Sequence, residues 1–116
     1  MDKVLKGHSF AFEATLKYKD GSVIIDLDDV TDVTILIRKH EGSTALVTKK
    51  YSTGGVSFTT PNSGVCTVYM NPSDTSGATV GQYDYAVIVE VVNANYDSNT
   101  ADFPTESYLP AFELTE

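Results

Sequence analysis

The chain has 116 residues, a formal net charge of -8 and a single cysteine. That length fits one domain spanning 1–116, and it can bury roughly two-thirds of its unfolded surface, so no disulfide or metal staple is required. The charge argues against a nucleic-acid partner, because phosphate neutralisation needs clustered Lys and Arg, and against an anionic membrane surface.

Thr and Val are the commonest residues, the bias of pleated, half-buried surfaces. Residues 1–8 read as an N-terminal arm without an apolar signal segment. No apolar run is long enough to cross a bilayer. Cys66 has no partner for an intrachain disulfide, and Asn71 is followed by Pro72, which spoils its glycosylation triplet. Both features fit folding in a reducing cytosol.

Period two dominates the chain, and no window shows helical periodicity. Residues 9–18 alternate with Phe10, Phe12, Ala14, Leu16 and Tyr18 on one face. Lys19-Asp20-Gly21-Ser22 is a turn, and residues 23–27 a short strand that Asp28-Asp29 breaks. Residues 33–38 alternate again with Val33, Ile35 and Ile37 inward and Thr34 and Arg38 outward. Leu36 is an outward exception that calls for partial cover. Residues 45–51 form a weaker strand with a basic end, and residues 56–60 another, before the turn Pro61-Asn62-Ser63-Gly64. In 65–71, Cys66, Val68 and Met70 share one face. Residues 72–77 read as a polar crossing loop.

Gly81-Gln82-Tyr83-Asp84-Tyr85 opens a long strand running to about residue 93. Its odd positions, Tyr83, Tyr85, Val87, Val89 and Val91, are apolar or aromatic, as in a central strand with one core face. A tyrosine two residues after a turn glycine at such a strand mouth resembles the tyrosine corner of immunoglobulin-like sandwiches. In that corner the Tyr83 hydroxyl bonds back to a carbonyl near residues 73–77. Residues 94–108 read as a long irregular loop. Residues 109–114 close the domain, with Pro110 confining that strand to an edge. Seven to eight short strands with close turns predict an all-β, immunoglobulin-like antiparallel β-sandwich, with a small barrel as the alternative.

The chemistry of sites is sparse. Gly-x-Ser-x-Gly does not occur, and Cys66 sits mid-strand as a small buried hydrophobe. His8 and His40 lack zinc-ligand spacing. Asp26, Asp28, Asp29 and Asp32 raise a calcium site, but the spacing lacks the glycine and terminal glutamate of an EF-hand loop, and turn chemistry is the better account. Asp84 and Glu90 read as solvated strand residues, about 20 Å apart along the strand. No phosphate-cradling glycine loop is present, and no cofactor is expected. Tyr96, Phe103 and Tyr108, in or beside the irregular loop, are candidate partner contacts.

The order of Phe10-Ala11-Phe12, Asp20-Gly21, Ile25-Asp26-Leu27, Val33-Thr34-Ile35, Gly64, Asp74-Thr75 and then the tyrosine pentapeptide carries a resemblance. It is similar to the small immunoglobulin-like domains of tailed bacteriophages, including the N-terminal domain of the baseplate upper protein family. It covers about residues 8–92. Residues 94–108 depart from it: they contain Pro104 and no glycine where a tight hairpin is usual. The resemblance implies a non-enzymatic virion protein of the tail, baseplate or capsid surface. It would be made in the host cytoplasm, contact other virion proteins and form a homo-oligomer or symmetric array. A ligand- or carbohydrate-binding adhesin module is the alternative, against which the lack of Trp weighs.

Overall fold

The computed structural model describes residues 2–15, 30–40, 45–60, 64–92, 95, 100–104 and 108–116; for residues 30, 31, 59, 60, 91, 92 and 100–104 it describes the backbone alone. Nine strands and one short helix follow in chain order among them. They are β1 (Lys3–Leu5), β2 (Phe10–Thr15), β3 (Val30–Lys39), β4 (Ala45–Lys50), β5 (Val56–Thr60), β6 (Val65–Met70), α1 (Pro72–Thr75), β7 (Gly81–Val92), β8 (Thr100–Pro104) and β9 (Leu109–Thr115). One sheet runs β1-β9-β7-β3-β4, with β8 also on β7; the other runs β2-β6-β5. All pairings are antiparallel except β1 with β9.

The chain passes from β2 to the facing sheet for β3 and β4, returns for β5 and β6, and crosses again to β7. This is the all-β sandwich expected from the strand pattern, with nine strands among the described residues where seven to eight were expected. The turns expected at 19–22 and 41–43 and the strand expected at 23–27 lie outside the described residues.

Alternation builds the core. Val33, Ile35 and Ile37 of β3, Cys66 and Val68 of β6, and Val87 and Val89 of β7 are each 1% exposed or less. Their period-two spacing puts every one on the face between the sheets. Leu36, on the outer face, is half-buried.

Aromatic rings join the two sheets at one end. Phe112 of β9 is fully buried and touches three rings: Phe10 at 4.9 Å edge-on, Phe12 at 5.6 Å tilted and Tyr83 at 5.4 Å stacked. Phe12 also meets Tyr85 at 5.8 Å. Such pairs add to plain area burial.

Four expectations are corrected. The N-terminal arm contains β1, which pairs with Glu113, Leu114 and Thr115. Residues 72–77 hold α1, begun by Pro72 in the first turn, where its missing N–H costs nothing. The irregular loop contains β8, which pairs with Ile88 to Val92. Its sequence, Thr-Ala-Asp-Phe-Pro, has no strand pattern, so the long β7 edge imposes the state.

Pro110 does not confine β9 to an edge. Pro110 faces Asp84 and Phe112 faces Tyr83, so Ala111 is an extra residue and the proline sits at a bulge. Beyond it β9 is flanked by β7 on one side and β1 on the other.

Truncating the ring hub tests this packing. Phe112→Ala removes the contacts of three rings at once and should cost about 3–5 kcal/mol of stability. Urea unfolding followed by fluorescence measures it; a loss below about 1 kcal/mol would place the packing centre elsewhere.

Candidate functional site

The described polar side chains gather in three places: the crossover between β6 and β7, the outer face where β3 meets β7, and the start of β3.

At the crossover, Tyr83 lies at the mouth of β7, 3% exposed. Its hydroxyl donates to the Thr79 carbonyl at 2.7 Å. The latch therefore closes on Thr79, later in the chain than the 73–77 carbonyls expected. Burial pushes the phenol above its ordinary value, so it stays a donor.

Other groups fix the same segment. The Asp74 carboxylate accepts from the Asn71 amide at 2.7 Å, while the Asp74 amide donates to the Asn71 carbonyl at 2.9 Å. Lys49 reaches Asp74 from β4 at 2.6 Å, with both side chains largely buried. The fully buried Thr75 hydroxyl accepts from the Gly7 amide at 2.9 Å. Gly7 has φ 78, which lets the chain turn from β1 towards β2 there. Lys6 and Lys39 donate to the carbonyls of Ala78 and Val80.

On the outer face, Asp84 is buried at 6% exposure and is not the solvated residue its position suggested. Its carboxylate accepts from His40 Nδ1 at 2.6 Å and from the Gln82 amide at 2.9 Å. Two strand neighbours, Gln82 and Asp84, share a face by period two, and the end of β3 brings His40 over them. Beside them the Arg38 guanidinium lies 3.5 Å from the Tyr108 ring centre. This is a cation–π contact, and among the described residues Arg38 Nε has no hydrogen-bond partner. An Asp–His pair can orient an imidazole for proton transfer. Cys66 cannot serve as its nucleophile: it faces the core, fully buried, and burial pushes its thiol up to about 12.

At the start of β3, Asp32 accepts from the Val33 amide at 2.8 Å, the Ser52 amide at 3.1 Å and the Ser52 hydroxyl at 2.9 Å. The carboxylate thus ties β3 to the turn after β4. Burial raises its pKa, but the Ser52 hydroxyl and amide, the Val33 amide and the Lys50 charge together outweigh this and hold it below the ordinary value. Asp26, Asp28 and Asp29 lie outside the described residues. Among the described residues no three His, Cys, Asp or Glu side chains gather as a metal site.

Of the candidate contact residues, Tyr108 is half-buried under Arg38. Phe103 lies in β8, opposite Val89, with its backbone alone described, and Tyr96 lies outside the described residues. The structure does not bring these three together in the described part. His8 is exposed on the approach to β2. The Asp84 cluster and the Lys49–Asp74 pair escaped the sequence reading. The spacing of Gln82 and Asp84 was a usable signal for the first; nothing local announces the second.

No protein-family model and no curated protein matches this chain.

Two substitutions separate latch from clip. Tyr83→Phe keeps the ring on Phe112 and removes only the bond to Thr79, so it should cost about 1 kcal/mol in urea unfolding. An unchanged midpoint would mean that the hydroxyl does not hold the crossover.

Asp32 carries a pH signature. Its folded pKa is depressed, so its contribution is present above the unfolded carboxylate value of about 3.9 and is lost as pH falls through the folded value. The stability gap between the natural protein and Asp32→Asn should therefore be widest near neutral pH and shrink in acid. A gap independent of pH would show that the charge of Asp32 takes no part.

Proposed function

We propose that this chain is a non-enzymatic structural protein of a bacteriophage virion, acting through protein–protein contacts in the tail, baseplate or capsid surface. The observation that carries the contact role is the state of the sheet edges. β2 and β5 end one sheet and β1 and β4 end the other, so among the described residues each has one side outside the ladders. Such edges are ready templates for a neighbouring chain. The described carboxylates, by contrast, hold the fold together: Asp74 the crossover, Asp84 the β3–β7 face and Asp32 the turn after β4.

The virion setting rests on the resemblance of residues 8–92 to immunoglobulin-like phage domains. In that setting the partners are other virion proteins or further copies around a symmetry axis, and the protein is made in the host cytoplasm. The adhesin alternative gains nothing from Tyr108, because Arg38 already occupies one ring face that a sugar would stack on.

Mass spectrometry of purified phage particles tests the proposal. The chain should be present in stoichiometric amount and should co-purify with the particle through a density gradient. Its absence from particles that are otherwise complete would overturn the virion assignment.

A further inference from the structure

We infer that the edge of β2 that no described residue covers is the docking strand of this protein, and that it takes an extended, basic segment of a partner by strand addition. This rests on the protein–protein role proposed above and names the surface and its partner chemistry.

The edge follows from backbone geometry. In an antiparallel pair, residues alternate between pointing their N–H and C=O at the partner strand and pointing both away. The Tyr69 amide of β6 donates to Gly55, on the β5 side, at 3.0 Å. Tyr69 is the register partner of Ala11, so Ala11 also turns its N–H and C=O away from β6. The other end of β2 agrees independently. The Thr15 amide leaves the ladder for the Tyr85 hydroxyl at 3.1 Å. Parity then directs the N–H and C=O of Glu13 outward with those of Ala11.

No described strand receives these groups. β1, the strand before β2, pairs with β9 in the other sheet instead. The edge opens on a depression of about 500 Å³ lined by Asp2, Ala11, Phe12, Glu13, Thr67 and Ala111. Two of its lining residues, Ala11 and Ala111, are small.

Charge selects the occupant. Asp2 and Glu13 are both exposed and put two carboxylates on the rim. A second copy pairing β2 with β2 about a two-fold axis would bring this rim against itself, and like charges across strands are destabilising. Four of the six described basic side chains are already engaged, while Lys3 and Lys50 are exposed. Lys6 and Lys39 are bonded to carbonyls, Lys49 to Asp74, and Arg38 lies on Tyr108. A foreign strand with Lys or Arg at alternate positions satisfies both the ladder and the rim. Its outward side chains fall beside Asp2 and Glu13, and its backbone pairs with Ala11 and Glu13.

The experiment is a titration of the isotope-labelled full chain with two short peptides, one alternating Val and Lys, the other Val and Glu, read by amide shifts and hydrogen exchange. The Lys peptide should slow exchange at the Ala11 and Glu13 amides, bind at least about tenfold more tightly than the Glu peptide, and weaken in salt. Glu13→Lys, on an exposed side chain, should abolish that preference while the rest of the spectrum stays in place.

Equal binding of the two peptides, protection at β4 or β5 instead, or no protection at all would overturn the inference. So would protection of Ala11 and Glu13 that rises with protein concentration alone, which marks a second copy. Cross-linking within purified particles keeps the two readings apart. Cross-links mapped away from β2 sink this inference and leave the virion role. Protection of β2 by the Lys peptide, with the chain absent from particles, does the reverse.

Discussion

The fold depends on Phe112. Two twisted sheets need a shared core, and at this end of the sandwich it is supplied by rings. Phe10 and Phe12 come from β2 in one sheet; Tyr83 and Phe112 come from β7 and β9 in the other. Phe112 touches all three of its neighbours, so the facing sheets cannot separate here without exposing the whole cluster. Tyr83 gives this packing a second role. Its ring stacks on Phe112 while its hydroxyl holds Thr79. The same side chain therefore couples the core to the crossover that feeds β7. A ring that shifted off Phe112 would pull its hydroxyl from the loop, and a loosened loop would free the ring.

An acidic chain must house its carboxylates without enough cations to pair them. With 16 acidic and 8 basic residues, ion pairing cannot be the general answer. The described structure uses other donors. Asp32 takes two backbone amides and a serine hydroxyl. Asp74 takes one amide and one lysine. Asp84 takes an imidazole and a side-chain amide. Hydrogen bonds to an ionised group are the stronger kind, so each carboxylate stitches its segment rather than merely surviving burial. These three carboxylates act as joints between segments of the chain.

The sequence announced what repeats and hid what is borrowed. Alternation in 33–38, 65–70 and 83–89 gave the inward faces residue by residue, because period two maps directly onto a sheet with one buried side. The tyrosine after Gly81 gave the latch, though its acceptor depends on how α1 shortens the crossover, which no local pattern states. β8 was illegible for a different reason. Thr100 to Pro104 has no strand preference of its own; its state comes from the open edge of β7. Asp84 was misread because parity places it outward, and parity does not know what lies on top. The cover arrives from His40, 44 residues away in sequence. Tyr96 and residues 26–29 lie outside the described residues.

The buried acid of the outer face lies in register with the Pro110 bulge. β7 is 12 residues long, longer than either strand on its second edge, so β9 serves its first part and β8 its last. Asp84 lies where β9's register breaks, opposite a residue that has no N–H to give. The His40 amide donates to the Gln82 carbonyl, so by parity the backbone of Asp84 also faces β3 and is not affected by the proline. Gln82 and His40 are positioned to supply donors, and Arg38 closes the adjoining gap by lying on Tyr108, the residue before β9. The cluster is thus built by side chains of β7 and the end of β3 on the outer face, next to the bulge. The same change of partners along β7 leaves β9 free to take β1 on its far side, and β1, once committed to β9, no longer covers β2.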